Sequence, residues 1–312
     1  MFIDENQIQN QAIFPSFLND PLVEVYVKRE DQIHPLVSGN KFRKLKYSLL
    51  QAQQLGYATV LTFGGAFSNH IAATAAAGKL LGFQTIGVIR GDELANDLSL
   101  TLAQNATLRE AKNNGMQLHF VNREVYRSKE NQHFINTLKN QFGNFYLIPE
   151  GGTNELAIKG CEEILTKEDE KFDYICVAVG TGGTIAGLIN SSKDHQHIIG
   201  FPVLKGSFLR GEIEKRVLQR DHWHLEENFH FGGYAKSQPE LISFMNQFQR
   251  DTGIQLDPIY TGKVFFGLSE MIKNKKIKTP CKILVIHTGG LQGIEPFNKV
   301  LEKKQQETIQ VI

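Results

Sequence analysis

The segment YICVAVGTGGTIAGLIN, residues 174–190, contains the pattern that decides the fold of this chain. Its apolar first part, Tyr174–Val179, predicts a buried strand, and Thr184–Asn190 predicts a helix that follows at once. The turn between them, Gly180 to Thr184, has three glycines and two threonines, more than a tight turn requires. Glycines allow backbone N–H groups to converge, and the start of a helix adds partial positive charge. The segment therefore predicts a strand–turn–helix unit that binds an anion such as a phosphate group.

Short apolar runs and amphipathic segments alternate along the rest of the chain, which is typical of β-α-β units around a mostly parallel sheet. We therefore predict an α/β fold, and a length of 312 residues favours two domains. The predicted strands are Val23–Lys28, Thr59–Phe63, Thr85–Arg90, Gln117–Val121, Phe145–Ile148, Tyr174–Val179, Ile198–Pro202 and Lys282–His287. The predicted helices are Lys44–Leu55, Asn69–Leu81, Ser99–Asn113, Lys129–Phe142, Glu155–Lys167, Thr184–Asn190, Pro239–Thr252 and Gly262–Lys273.

The composition favours a small-molecule partner and a reducing compartment. Lys and Arg total 34 and Asp and Glu total 33, and no basic run or acidic tail marks a surface for nucleic acid or an anionic membrane. Three widely spaced cysteines, Cys161, Cys176 and Cys281, fit reduced thiols and hence a cytoplasmic location. Residues 1–10 lack the pattern of a secretory signal, and no stretch approaches the roughly 20 apolar residues of a membrane helix.

Three further glycine-rich turns follow predicted strands. They are Gly64-Gly65, which leads to Ser68 and Asn69 at a helix start, the run 149–154, and the run 287–290. Polar groups at a helix start can bind a carboxylate, although Ser68 and Asn69 taken alone fit ordinary helix capping better. In an open α/β sheet the carboxyl ends of the strands meet at one crevice, so we expect the four turns to converge on one ligand site.

One lysine stands out by its surroundings, Lys41 in the run SGNKFRKL, residues 38–45. Lysines of helices are usually solvated, and composition does not single out this one. Lys41, however, follows a Ser-Gly-Asn turn and precedes an apolar helix, so it can be held at a domain junction. A lysine that is desolvated there can serve as a nucleophile and a base.

Five ordered motifs resemble those of pyridoxal-5′-phosphate (PLP) enzymes of the tryptophan-synthase-β-like fold. They are SGNKFRKL (38–45), GGAFSNH (64–70), GTGGT (180–184), DPIYTGK (257–263) and HTGG (287–290). Within that fold they are most similar to D-cysteine desulfhydrase and 1-aminocyclopropane-1-carboxylate (ACC) deaminase. The resemblance implies two open, mostly parallel twisted sheets flanked by helices, in a large PLP-binding domain (1–43 plus 153–312) and a smaller domain (44–152). It also implies an active site in the cleft between these domains and a homodimer.

The resemblance assigns roles to residues of these motifs. Lys41 matches the lysine that forms an imine with PLP and later removes the α-proton of the substrate. Ser68 would lie beside the substrate carboxylate, and Asn69 would contact the 3-hydroxyl oxygen of the cofactor ring. Tyr234 and Tyr260 match two tyrosines of the substrate site, with ordinary packing as the alternative for each. The phosphate is assigned to Lys44, Thr181, Gly182, Gly183 and Thr184, and Thr261 and Thr288 are placed near the cofactor ring.

Three positions favour a D-cysteine desulfhydrase over an ACC deaminase. ACC deaminases have Glu after the second tyrosine, Leu before the last glycine pair and Gln after the Ser-Asn pair; here these positions are Thr261, Thr288 and His70. A hydroxyl group near the ring nitrogen does not enforce a protonated pyridinium, which suits rapid β-elimination. The predicted reaction converts D-cysteine to hydrogen sulfide, ammonia and pyruvate. Ala157, where the family usually has glycine, leaves the substrate open.

Other interpretations stay open at this point. One is ACC deaminase, which opens the ring of its substrate to give 2-oxobutanoate and ammonia, and another is a catalytically inactive PLP-fold binding protein, which the intact Lys41 argues against. The interpretation as a nicotinamide enzyme is disfavoured, because the G-x-G-x-x-G pattern needs glycine where this chain has Ile185. The residues His222, His224 and His230 match no zinc spacing, so no metal is predicted, and the role of His70 is left open.

Overall fold

The computed structural model describes residues 8–218 and 221–311. The chain divides into two compact units, one formed by the described residues up to Arg43 and from Ile158 onward, the other by Lys44–Ala157. Each unit has a parallel or mostly parallel sheet flanked by helices, which confirms the predicted α/β class. None of the helices among the described residues has the length and apolar character that crossing a bilayer would require.

The strands are β1 (Asn10–Ile13), β2 (Val23–Lys28), β3 (Thr59–Gly65), β4 (Gln84–Arg90), β5 (Gln117–Val121), β6 (Tyr146–Ile148), β7 (Tyr174–Val179), β8 (His197–Pro202), β9 (Trp223–Leu225) and β10 (Cys281–Ile286). The helices are α1 (Asn40–Gln54), α2 (Asn69–Leu81), α3 (Leu98–Gln104), α4 (Ala106–Asn113), α5 (Arg123–Arg127), α6 (Gln132–Phe142), α7 (Glu155–Glu162), α8 (Gly183–Ser191), α9 (Phe208–Glu214), α10 (Pro239–Thr252), α11 (Thr261–Lys273) and α12 (Ile294–Lys303).

The larger unit has a six-stranded sheet in the order β1-β2-β10-β7-β8-β9, in which β1 runs antiparallel to β2 and the other strands are parallel. One face packs on α10, α11 and α12 around Phe248 and Phe265, and the other packs on α8 around Ile185 and Leu188. Because both faces are covered, β7 is apolar and buried almost throughout. The carboxyl ends of β2, β10 and β7 are neighbours, so the segments that follow these strands start side by side.

The smaller unit has a four-stranded parallel sheet in the order β5-β4-β3-β6. One face packs around Phe63 and Leu138, and the other packs against α2 and α4 around Ile71 and Leu108. The central strand β3 is buried from its second to its sixth residue. The turn after β3 therefore presents its polar residues at the carboxyl edge of this sheet.

The structure contains all eight predicted strands, and four helices differ from the prediction. The helix predicted over Glu155–Lys167 ends at Glu162, and the helix predicted from Lys129 begins at Gln132. The helix predicted over Ser99–Asn113 is two helices, because Asn105 has an extended backbone and its side chain accepts a hydrogen bond from the N–H of Leu108 at 3.0 Å. The helix predicted from Lys44 begins at Asn40 instead, so Lys41 lies within its first turn. The elements that the sequence pattern missed are β1, β9, α5, α9 and α12, most of which are short.

Candidate active site

Lys41 is partly exposed in the first turn of α1, and its backbone is held by two neighbouring segments. The N–H of Gly39 donates to the carbonyl of Glu30 at 3.1 Å, and the N–H of Asn40 donates to the carbonyl of Thr288 at 3.4 Å. Gly39 has a φ of 62°, and a Cβ placed on it would overlap the carbonyl group of Thr288. Only glycine meets both requirements, so the turn before Lys41 is packed directly on the turn after β10.

A buried ion pair holds the same helix two residues beyond Lys41. The guanidinium of Arg43 donates through Nε to Oε2 of Glu30 at 3.0 Å and through Nη2 to Oε1 at 2.9 Å. Both side chains are almost completely buried. A two-bonded pair of this kind fixes orientation as well as distance. Glu30 thus holds the Lys41 segment at both ends, through its carbonyl group and through its carboxylate.

The predicted anion turn has the expected strand–turn–helix geometry. Gly182 has a left-handed backbone with a φ of 84° and forms the N-cap of α8. The first N–H groups of a helix have no partner within it, so those at the start of α8 can bind an anion. The side-chain amide of Asn40 donates to Oγ1 of Thr184 at 2.8 Å, which joins this turn to the residue before Lys41. Backbone N–H groups, a hydroxyl and a nearby primary amine together fit the phosphate and aldehyde groups of PLP.

The two predicted substrate-site tyrosines lie together beside the anion turn. A Cβ on Gly180 would lie 3.4 Å from Cε1 of Tyr260, so this ring packs on the turn. The rings of Tyr234 and Tyr260 meet edge to face with centroids 6.3 Å apart. Burial, and then the neighbouring Tyr234, raise the pKa of Tyr260 well above its usual value. The phenol of Tyr260 therefore keeps its proton at neutral pH.

A buried carboxylate, Asp257, organises the start of α11. It accepts hydrogen bonds from the N–H groups of Ile259 at 2.9 Å, Tyr260 at 3.0 Å and Thr261 at 2.8 Å. The Thr261 hydroxyl also donates to Asp257 at 2.8 Å and accepts from the Asp257 N–H at 2.9 Å. Burial raises the pKa of Asp257, and the bonds from Thr261 oppose this effect. The Thr261 hydroxyl therefore already donates its single proton to Asp257. The placement of Thr261 near a cofactor ring stays a prediction.

Thr288 lies in the turn after β10, next to His287, whose ring is bonded to two backbone groups. Nε2 of His287 lies 2.8 Å from the carbonyl of Gln255, and the N–H of Gly289 donates to Nδ1 at 3.3 Å. The tautomer that fits both partners carries its proton on Nε2, and Oδ1 of Asp31 lies 3.6 Å from Nδ1. Thr288 itself is 7% exposed. Within the part of the chain that the structure describes, its hydroxyl has no hydrogen-bond partner, in contrast to Thr261.

In the smaller unit, Ser68 caps α2 and Asn69 begins it. The Ser68 hydroxyl accepts from the N–H of Ile71 at 3.4 Å, which is the ordinary capping role. A Cβ on Gly64 would lie 2.9 Å from the Ser68 side chain, so the glycine allows this close approach. Both Ser68 and Asn69 are partly exposed. Their assignment to substrate and cofactor stays a prediction.

Lys44 and His70 both support the glycine turn after β6. The buried ammonium of Lys44 donates to the carbonyl of Gly151 at 3.2 Å and to the hydroxyl of Thr153 at 2.9 Å. His70 is bonded through Nε2 to the hydroxyl of Thr62 at 2.8 Å, and a Cβ on Gly152 would lie 2.9 Å from its ring. His70 is therefore a packed structural residue. The assignment of Lys44 to the phosphate stays a prediction.

The three histidines that match no zinc spacing, His222, His224 and His230, each have a separate hydrogen-bond partner. His222 is bonded to the Ser192 hydroxyl at 3.0 Å, and His224 is bonded to His197 at 2.7 Å. The ring of His230 accepts from a backbone N–H two residues later. Among residues 8–218 and 221–311, no group of three or more His, Cys, Asp or Glu side chains could hold a metal ion.

Sequence reasoning missed several residues that shape the site. Asn40 belongs to the SGNKFRKL motif. Asp257 precedes a proline and the start of a helix, which is a typical position for a capping residue. The pair Glu30 and Arg43 left no signal, because it joins residues of two elements by tertiary contact alone.

Comparison with known proteins places these features in context. The family model described as "Pyridoxal-phosphate dependent enzyme" matches residues 12–289. The chain is 34% identical to the bifunctional D-cysteine desulfhydrase/ACC deaminase, mitochondrial, of Arabidopsis thaliana, over 89% of this chain and 74% of that protein. It is 31% identical to a putative ACC deaminase of Pyrococcus horikoshii, over 89% and 88%. The crystal structure of an ACC deaminase homologue superposes with a TM-score of 0.80 at 30% identity, covering 97% of this chain and 95% of the other.

Proposed function

Because the chain belongs to the family of pyridoxal-phosphate dependent enzymes, and within it to the D-cysteine desulfhydrase and ACC deaminase group, we propose that it is a lyase that acts on D-cysteine. The products are hydrogen sulfide, ammonia and pyruvate. The observation that carries this proposal is the set of groups around the anion turn. The Tyr260 ring packs on this turn, and Thr184 of the turn is bonded to Asn40, the residue before Lys41. The residue after Tyr260 is a threonine instead of a carboxylate.

The residues of the larger unit would hold PLP at its two ends. The start of α8 and the Thr184 hydroxyl would bind the phosphate, and the amine of Lys41 would bind the aldehyde carbon covalently. When bound, PLP supplies an electron sink for the charge left on the substrate α-carbon after its proton is removed. Lys44, Ser68 and Asn69 remain part of the proposal, for the phosphate, the substrate carboxylate and the ring hydroxyl respectively.

Two side chains would move the protons of the reaction. Lys41 removes the α-proton of the substrate, which requires a neutral amine close to the α-carbon. Tyr260, whose ring packs on the anion turn and against Tyr234, donates its proton to the departing sulfur. Tyr234, which is 42% exposed, packs on Tyr260 and holds the substrate. Loss of sulfide from the β-carbon leaves aminoacrylate, which hydrolyses to pyruvate and ammonia after release.

The threonine after Tyr260 supports β-elimination over ring opening. The Thr261 hydroxyl donates to Asp257, so it has no second proton to give to a ring nitrogen. Thr288 offers a hydroxyl where ACC deaminases have leucine. Neither group has the negative charge that enforces a protonated pyridinium. A weaker electron sink is sufficient when the leaving group departs as soon as the α-proton is removed.

ACC deaminase is the second candidate, because the relatives in the comparison include proteins with that name and the tyrosine pair is present. Steady-state assays of the purified enzyme with D-cysteine, L-cysteine and ACC separate the two. We expect pyruvate and sulfide from D-cysteine. A much higher specificity constant for ACC, with 2-oxobutanoate as the product, would overturn our preference.

The cofactor assignment is tested separately from the substrate. We expect the protein to gain visible absorbance on addition of PLP, and borohydride reduction followed by peptide mapping should place the label on Lys41. The Lys41→Ala variant should lose this covalent label. A label on another lysine would contradict the assignment.

Two further features belong to the same proposal. We propose a homodimer, which size-exclusion chromatography with light scattering would test. We also propose a cytoplasmic location, which is consistent with three buried cysteines that form no disulfide among the described residues. Imaging of a tagged protein in its own cells would check the location.

A further inference from the structure

Lys263 is a completely buried lysine at the end of the DPIYTGK motif, and the mechanism assigns it no role. It lies in the first turn of α11, three residues after Tyr260, and its exposed fraction is 0%. Its ammonium donates to the carbonyl of His230 at 2.9 Å and to the carbonyl of Gly233 at 2.9 Å. Helix α11, which follows Tyr260 directly, is thus bonded to the segment that contains Tyr234.

The segment of residues 230–236, which we call the Tyr234 loop, has an unusual backbone. Positive φ values occur at Phe231 (53°), Gly232 (92°), Gly233 (118°) and Ala235 (54°). A residue other than glycine is strained in this region, so the two non-glycine residues require support from their surroundings. The Lys263 ammonium provides two bonds to this loop from the protein interior.

The loop does not need Lys263 to satisfy its buried carbonyl groups. The His230 carbonyl already accepts from the N–H of Gly233 at 3.0 Å, and the Gly233 carbonyl accepts from the N–H of Lys236 at 3.2 Å. Burying an ammonium group is costly, and an apolar side chain of the same length would fill the space without that cost. The presence of a lysine at this position is therefore explained by its two hydrogen bonds, which fix the position of the loop.

We propose that Lys263 is a positioning residue that sets the Tyr234 ring against Tyr260, and thereby the substrate side of the active site. The effect of Lys263 on catalysis rests on the proposed function. Its two hydrogen bonds to the Tyr234 loop, which we call the clamp, do not depend on that function. Tyr260 and Lys263 lie in one helical turn, so the two tyrosines share one support. The distance between ring centroids, 6.3 Å, depends on both connections.

The first test measures the loop in the folded protein by hydrogen exchange with mass spectrometry. In Lys263→Met, we expect the peptide covering residues 230–236 to exchange about tenfold faster or more, because two of its bonds are lost. The matched control is Lys273→Met, which changes an exposed lysine of the same helix and should leave this peptide unchanged. Equal exchange of the peptide in Lys263→Met and the unmodified protein would overturn the clamp.

The second test is a double-mutant cycle on turnover of D-cysteine and ACC by the PLP-loaded enzyme. Lys263→Met should lower kcat/KM by about tenfold alone and by less than about twofold in a Tyr234→Ala background, because it acts through that ring. Equal losses in both backgrounds would overturn the link to Tyr234. If neither substrate is turned over, the proposed function fails, and the exchange measurement still decides the clamp. Should Lys263→Met not fold, Lys263→Leu, which also lacks a hydrogen-bond donor, takes its place under the same criteria.

Discussion

Gly39 lies against the carbonyl group of Thr288 so closely that no side chain fits between them. The contact joins the turn before Lys41 to the turn after β10, and it exists because β2 and β10 are parallel neighbours, with Lys28 paired to Ile286. The N–H of the next residue, Asn40, also donates to the Thr288 carbonyl. The backbone position of Lys41 is therefore set by the sheet.

The first prediction concerns Gly39→Ala. A methyl group there meets the Thr288 carbonyl and also requires a left-handed backbone, so we expect a loss of at least about 2 kcal/mol in the free energy of unfolding. Urea denaturation measures this loss, and the visible absorbance reports PLP content. The control is Gly211→Ala in α9, where the added methyl group meets no atom within 4 Å and should cost nothing. Equal stability of the two variants would contradict the packing argument.

The second prediction concerns the link between Asn40 and Thr184. Asn40→Ala removes a hydrogen bond of 2.8 Å that holds the Thr184 hydroxyl at the start of α8. We expect PLP affinity to fall by about threefold to tenfold, which corresponds to one hydrogen bond. Titration of visible absorbance measures the dissociation constant. Asn136→Ala on the exposed side of α6 is the control, and an unchanged affinity in Asn40→Ala would show that Thr184 holds its place unaided.

The third prediction separates the two threonines. Thr261→Val leaves the buried Asp257 without a hydroxyl donor, so we expect it to cost about 1–3 kcal/mol in unfolding free energy. Thr288→Val removes a hydroxyl without a partner among the described residues and should change stability by less than about 0.5 kcal/mol. Urea denaturation of both variants makes the comparison. A larger loss for Thr288→Val would reverse our assignment of the two hydroxyl groups.

The fourth prediction concerns the proton donor. Tyr260→Phe keeps the ring that packs on Gly180 but lacks the phenol, so PLP should still bind. We expect kcat to fall by about 10²-fold or more, the typical effect of a lost general acid. Tyr234→Phe should have the smaller effect, since its ring is more exposed. Near-normal kcat in Tyr260→Phe would assign the proton to another group.

The fifth prediction follows from the pKa of Lys263, which burial lowers to about 8 while Asp257 opposes the change. In the unfolded chain the lysine returns to a pKa of about 10.4, so between these values the unfolded state binds more protons and stability rises with pH. From pH 7.5 to 9.5, we expect the unmodified protein to gain about 1–2 kcal/mol in unfolding free energy relative to Lys263→Met. Denaturation at several pH values measures this difference. A constant difference would mean that the ammonium keeps its ordinary pKa.

Much of the fold was predictable because it depends on local patterns. The apolar runs marked all eight strands of the prediction, and the glycines after β7 marked the turn into α8. The prediction failed at Ser99–Asn113, where the helical pattern continues across Asn105 although that residue caps a second helix. It also missed β1 and β9, since short strands are identified by the strands beside them and not by their own residues.

The sequence by itself determined the α/β class, the glycine-rich turns at the strand ends and the motifs that indicate PLP chemistry at Lys41. These features depend on residue types and on spacing, which a single chain displays directly. Only the tertiary structure decided that Thr261 gives its proton to Asp257, that His70 is a packed structural residue and that Lys263 supports the Tyr234 loop. These roles depend on partners that folding brings together, and a hydroxyl, an imidazole or an ammonium shows its role only through the group that it contacts.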